Sequence, residues 1–126
     1  MKRPVLYVPE PLSAPNREGI EANRARAARW CAWIASCGAA PEATWIVLTG
    51  VWDESKRELG LECDFALIER CDAVALCGAR ITPGMNREAR HADKCGKPVI
   101  YLTSLGPEPP AEPWSLERLM SGGKNG

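Results

Sequence analysis

The segment DAVALCGARITPGMNREARHADKCGKPVIYL, Asp72 to Leu102, decides the fold. After Asp72 its first residues form a continuous apolar run, the pattern of a central parallel strand with both faces covered. Gly78 to Gly84 then makes a turn. Met85, Ala89 and Ala92 recur at helical spacing and predict a helix of about three turns that stops at Gly96. Lys97 and Pro98 lead into Val99, Ile100, Tyr101 and Leu102, which read as a further buried strand. Strand, helix and strand in this order form a right-handed parallel crossover.

Toward the amino terminus the same alternation repeats. Val5 to Val8 reads as a first buried strand, closed by Pro9, Pro11 and Pro15. From about Arg17 to Cys37 a helix is predicted, because Ile20, Ala27, Cys31 and Ile34 share a face and Gly38 can stop it. Trp45 to Leu48 is β-rich and bounded by Pro41 and Gly50, so it is taken as the second strand. Between Asp53 and Arg70 the residues Leu59, Cys63, Ala66 and Leu67 trace a helical face, with Gly60 expected to interrupt or delay the helix.

Four such alternations predict a single-domain α/β fold of the flavodoxin or Rossmann-like kind. It should hold a parallel sheet of four to five strands in the order 2-1-3-4, with helices on both faces. That domain is expected to occupy residues 1–106. Residues 107–126 read as a proline-rich tail with a short helix between Trp114 and Met120, docked by Trp114 and Leu119, and a frayed SGGKNG end. Trp30 and Trp33 differ by roughly 60° around a helix and are not expected to face the core together, so one is taken as a partner surface.

Composition narrows the partners. The chain has 126 residues, 16 basic and 16 acidic, and a formal net charge of zero. Its overall field offers no general attraction to a nucleic-acid polymer or an anionic membrane, so neither is expected as a partner. The apolar run at Val5 to Val8 is too short for a signal-peptide core, and no stretch approaches the roughly 20 apolar residues of a membrane span. A soluble cytoplasmic protein is expected. Its six cysteines (Cys31, Cys37, Cys63, Cys71, Cys77 and Cys95) then read as reduced and mostly buried small hydrophobes. No CxxC pair occurs and His91 is the only histidine, so no zinc site of the usual spacing, and no other metal or cofactor, is expected. His91 reads as a surface or dimer-contact residue.

In open parallel sheets ligands bind beyond the carboxyl ends of the strands, near the point where strand order reverses. Three loops are therefore of interest: Pro9 to Asn16, Thr49 to Asp53 and Gly78 to Gly84. In the last, Thr82 and Gly84 precede a helix whose first turn is expected to carry Glu88. The plain reading makes Thr82 an N-cap and Glu88 a complement to the helix dipole. The functional reading has backbone N–H groups bind an anion while Glu88 acts as a nucleophile in the crevice.

The stretch CDFALIERCDAVALCGARITPGMNREARHADKCGKPVIYL, residues 63–102, resembles the nucleoside 2-deoxyribosyltransferase superfamily, including its 2'-deoxynucleoside 5'-monophosphate N-glycosidases. Asp64, Asp72, Thr82, Gly84, Glu88 and the run Gly96-Lys97-Pro98 fall in order where that superfamily has its motif residues, and Tyr7 falls where it has a tyrosine ending the first strand. The resemblance implies N-glycosidic cleavage or base exchange on a (deoxy)nucleoside or its 5'-monophosphate. Glu88 would be the nucleophile, Asp64 the acid for the departing base, and Tyr7 the residue that holds Glu88. It also implies a homodimer.

Asp72 is expected to begin its strand rather than to act in catalysis. A hydroxyl at Thr82 leans toward a phosphorylated ligand, with Ser13, Asn16 and Arg17 as further donors. Glu10, however, stands where the glycosidases place a glycine beside the phosphate, and would repel one unless it turns away or Arg17 compensates it. The alternative functions are a non-catalytic nucleotide-binding or sensing module on the same fold, and a purely structural interaction protein.

Overall fold

Side-chain alternation along the central strands sorts the core into two layers. In the computed structural model, which describes residues 2–122, the chain runs β1 (Val5–Tyr7), α1 (Arg17–Ser36), β2 (Ala40–Glu42), α2 (Trp45–Leu48), α3 (Arg57–Ile68), β3 (Ala73–Leu76), α4 (Pro83–Lys94), β4 (Val99–Tyr101) and α5 (Leu116–Met120). The four strands are parallel and ordered β2-β1-β3-β4, as the sequence predicts. Leu6, Val8, Ala73, Ala75 and Cys77 point to one face, under Trp30, Trp33 and Ile34 of α1. Tyr7, Val74 and Leu76 point to the other, under Ile68, Met85, Ala89 and Ala92 of α3 and α4. This is the strand period of two, with both faces buried.

The second strand is displaced from its predicted place. Trp45 to Leu48 is a helix, and β2 is instead Ala40–Glu42. As the sheet edge, β2 needs only backbone pairing, which tolerates Pro41: the Ala40 N–H donates to Pro4 O (2.7 Å) and the Val8 N–H to Glu42 O (3.0 Å). Glu42 then turns the chain into α2, its carboxylate accepting from the Thr44 N–H at 2.9 Å. Trp45 supplies an anchor by donating its indole N–H to Val8 O (3.0 Å), while Val47 is left 67% exposed. The run is apolar because one side packs, not because it joins the sheet.

Gly60 does not interrupt its helix. A 3-10 turn at Glu54–Lys56, capped by Asp53, leads directly into α3, which runs through Gly60.

Trp30 and Trp33 also depart from expectation, since both are buried in one cluster. The tail supplies the missing cover. Trp30 donates its indole N–H to Pro107 O (2.8 Å) and Trp33 donates to Glu112 O (3.0 Å). Trp114 meets Trp33 edge-on with ring centroids 5.3 Å apart, and Arg118 lies 4.0 Å over the Trp114 ring. α5 begins where Ser115 Oγ accepts from the Arg118 N–H (3.1 Å), and its Leu119 is fully buried against the sheet. Burying one leucine contributes about 2 kcal/mol. The expected fraying of 121–126 concerns mainly residues 123–126, which lie outside the described residues.

Six free cysteines are present, of which Cys37, Cys71 and Cys77 are buried, Cys31 and Cys63 half-buried and Cys95 exposed. Among the described residues no helix is long and apolar enough to cross a membrane.

Candidate active site

β1 and β3 are neighbours in the sheet although α1, β2, α2 and α3 separate them in sequence, so strand order reverses between them. Beyond their carboxyl ends lies a cavity of about 560 Å³. All three loops singled out from the sequence contribute to its wall, through Glu10 and Ser13, Thr49 and Trp52, and Thr82 and Gly84. The crossover rule thus places the cavity where it is found.

Glu88 projects into this space from α4 and is 6% exposed. Because α4 starts at Pro83 rather than Met85, Glu88 sits in the second turn, not the first as expected from sequence. A carboxylate so placed gains little from the helix dipole, which fades within a turn. Its partner is Tyr7 at the end of β1, whose buried hydroxyl donates to Glu88 Oε2 at 2.9 Å. Asp64 reaches the same cavity from the third turn of α3 and is half-buried.

Burial raises all three groups. The Glu88 carboxyl is pushed well above the usual carboxylate range, first by desolvation and then by the neighbouring Asp64 charge, while the Tyr7 hydroxyl pulls it back. Asp64 is raised by desolvation, which the nearby Glu88 and Tyr7 groups partly offset. Tyr7 is driven far above a free phenol by burial and the two carboxylates, so it remains a donor. Two carboxyl groups that cannot both ionise easily share one proton.

The other residues singled out from sequence divide. Thr82 is the N-cap of α4, its Oγ accepting from the Met85 N–H (3.2 Å), and it also faces the cavity beside Gly84. Ser13 lines the mouth. Arg17 lines it too, but its guanidinium is engaged by Gly50 O (2.9 Å) and Glu21 (3.0 Å). Asn16 caps α1 by accepting from the Gly19 N–H (2.8 Å) and is not part of the cavity wall. Asp72 lies at the opposite end of the sheet, where its carboxylate accepts from the Val5 N–H at 2.7 Å and begins β3.

Glu10 does not meet Arg17. Its Oε1 accepts from Arg26 Nε of α1 at 2.9 Å, the side chain is fully buried, and Oε2 has no partner among the described residues. Burial outweighs the Arg26 charge and raises the Glu10 carboxyl. Nothing in the one-dimensional spacing pairs Glu10 with Arg26. Lys56, Arg57 and Trp52 of the cavity wall were likewise not singled out; the loop after the second strand was the only signal pointing toward them.

A family model described as a domain of unknown function, DUF7768, matches residues 4–102. The chain belongs to the DUF7768 family. The DUF7768 span contains every side chain of the Tyr7, Asp64 and Glu88 constellation and both strands that flank the cavity, and it ends before the tail that seals α1. No curated protein matches the chain.

Proposed function

We propose that this DUF7768 protein cleaves or exchanges the N-glycosidic bond of a (deoxy)nucleoside or nucleoside 5'-monophosphate. The observation that carries the reading is Glu88: a buried carboxyl group at the wall of a cavity, bonded at 2.9 Å to the Tyr7 hydroxyl, with a second carboxyl, Asp64, lining the same cavity. The resemblance of residues 63–102 and Tyr7 to the nucleoside 2-deoxyribosyltransferase superfamily supports it.

In this mechanism the proton shared by the pair resides on Asp64 once substrate is bound, leaving Glu88 ionised. A Glu88 oxygen attacks the anomeric carbon, the carbon–nitrogen bond breaks, and Asp64 delivers its proton to the departing base. Water then attacks the glycosyl ester in a hydrolase, or a second base does so in a transferase, with Asp64 accepting the proton from the incoming group. Tyr7 is wholly buried and acts through Glu88, as a positioning residue that stabilises the ionised carboxylate.

The buried Glu10 opposes an anion near the end of β1, whereas Lys56 of the cavity lining favours one and Arg57 is engaged by Glu54, so both the nucleoside and its monophosphate belong in the test. A homodimer and a cytoplasmic location are part of the same proposal, the latter supported by the six free thiols. The test is incubation with a panel of nucleosides and nucleotides, with free base read by chromatography. Base release should vanish in Glu88→Ala and fall about 10²- to 10⁴-fold in Asp64→Asn. Ligand binding that survives Glu88→Ala, with no base released by the parent chain, would make it a sensing module instead.

A further inference from the structure

On the outer side of α3 and α4, away from the cavity, the only histidine meets a carboxylate and a thiol. His91 Nε2 is 2.8 Å from Glu69 Oε2 and 3.6 Å from Cys95 Sγ, and the three ligand atoms all lie within 4.8 Å of one another. No spacing motif announces this group, because Glu69 ends α3 while His91 and Cys95 stand one turn apart at the end of α4.

We propose that Glu69, His91 and Cys95 bind one borderline-soft divalent cation of the zinc class, clamping the carboxyl-terminal ends of α3 and α4 together. Two observations carry this. With metal bonds of about 2.3 Å to sulfur and about 2.0–2.1 Å to nitrogen and oxygen, tetrahedral ligands stand about 3.6 Å apart for S and N and about 3.4 Å apart for N and O. The Cys95–His91 separation already has this value, and Glu69 must withdraw by about half an ångström, within reach of an exposed carboxylate.

The imidazole is also held in place beforehand. Phe65 stacks on it with centroids 4.3 Å apart and planes 11° from parallel, leaving Nε2 directed at the other two ligands.

Charge around the site acts against a cation and must be offset by the ligands. Arg87, Arg90 and Lys94 surround an adjacent depression and would disfavour a bare cation. A thiolate and a carboxylate with a neutral imidazole cancel the charge of a dication, so the occupied site is neutral. The mixed N, S and O donor set suits zinc and cobalt(II) rather than magnesium or calcium. The fourth position faces solvent and takes water.

The test is a titration of the full-length protein, first stripped with a chelator, by cobalt(II), followed by absorption. One equivalent should bind with a thiolate-to-cobalt charge-transfer band, and zinc should displace it. Cys95→Ser, at an exposed position and nearly isosteric, should abolish the band with unchanged circular dichroism, while Cys63→Ser retains it. His91→Ala and Glu69→Gln should each weaken binding by about 10- to 100-fold or more, the loss that even outer partners of a metal site produce. A band that persists in Cys95→Ser, cobalt bound as tightly by His91→Ala, or no saturation at one equivalent would overturn the site and leave an ordinary Glu69–His91 ion pair. None of these outcomes depends on Glu88 or on base release.

Discussion

Tyr7 and Glu88, 81 residues apart in the chain, meet through one buried hydrogen bond of 2.9 Å that ties the end of β1 to the second turn of α4. Tyr7→Phe keeps the ring and removes only the donor, stranding Glu88 Oε2. The expected cost is about 1–3 kcal/mol, measured by urea denaturation. Because that bond lowers the Glu88 carboxyl, the acidic limb of any base-release profile should also move to higher pH. An unchanged midpoint in urea would show that Oε2 does not depend on Tyr7.

Glu88→Gln should make the protein more stable, and more so at high pH. The folded chain holds a proton on Glu88 above its ordinary value of 4.5, where the unfolded chain has released it. Wild-type stability is therefore greatest relative to the variant below that value, and is lost as pH rises toward the folded one. Each unit of displacement is worth about 1.4 kcal/mol. Thermal melts of both proteins between pH 4 and pH 9 should diverge with increasing pH; parallel curves would mean that Glu88 ionises freely.

Arg26→Ala removes the ion partner of a fully buried Glu10 side chain. A loss of about 2–3 kcal/mol is expected, below the 3–5 typical of a wholly buried pair because Arg26 keeps a quarter of its side chain in solvent. Adding Glu10→Gln should restore most of it, and acidification should narrow the deficit, since the raised Glu10 carboxyl then takes up a proton. A double-mutant cycle by chemical denaturation measures the coupling. Additive losses would deny it.

Gly78→Ala tests the crevice between β1 and β3. Gly78 has φ +87°, and a Cβ there would stand 2.7 Å from Pro11 Cδ and 3.1 Å from Glu10 Oε1. Both the left-handed backbone and the contact oppose a side chain, so about 1–3 kcal/mol should be lost. A variant as stable as its parent would show that the Pro9 to Pro11 segment shifts freely.

The central strands were legible because both their faces are buried: DAVALC could be little else, whereas the order 2-1-3-4 was an expectation of the fold class that no particular residue dictates. The edge strand was not. Ala40–Glu42 is half-buried and includes a proline, so no apolar pattern marks it, and the nearby run Trp45 to Leu48 carried the signal into a helix. The same distinction separates the site residues. Glu88 and Thr82 belong to one strand–loop–helix unit and could be found together. The contacts of Glu10 with Arg26 and of His91 with Glu69 cross between elements, and only packing creates them.

Both indole N–H groups of α1 end on carbonyls of the 107–112 segment, and Leu119 fills the sheet face beside them. During synthesis, then, a nascent chain that has emerged only to Gly106 carries all four strands yet leaves the indoles of α1 and the patch of sheet under Leu119 uncovered. Folding must wait for roughly a dozen more residues to clear the ribosome, and until they do the two tryptophans are a natural foothold for a chaperone.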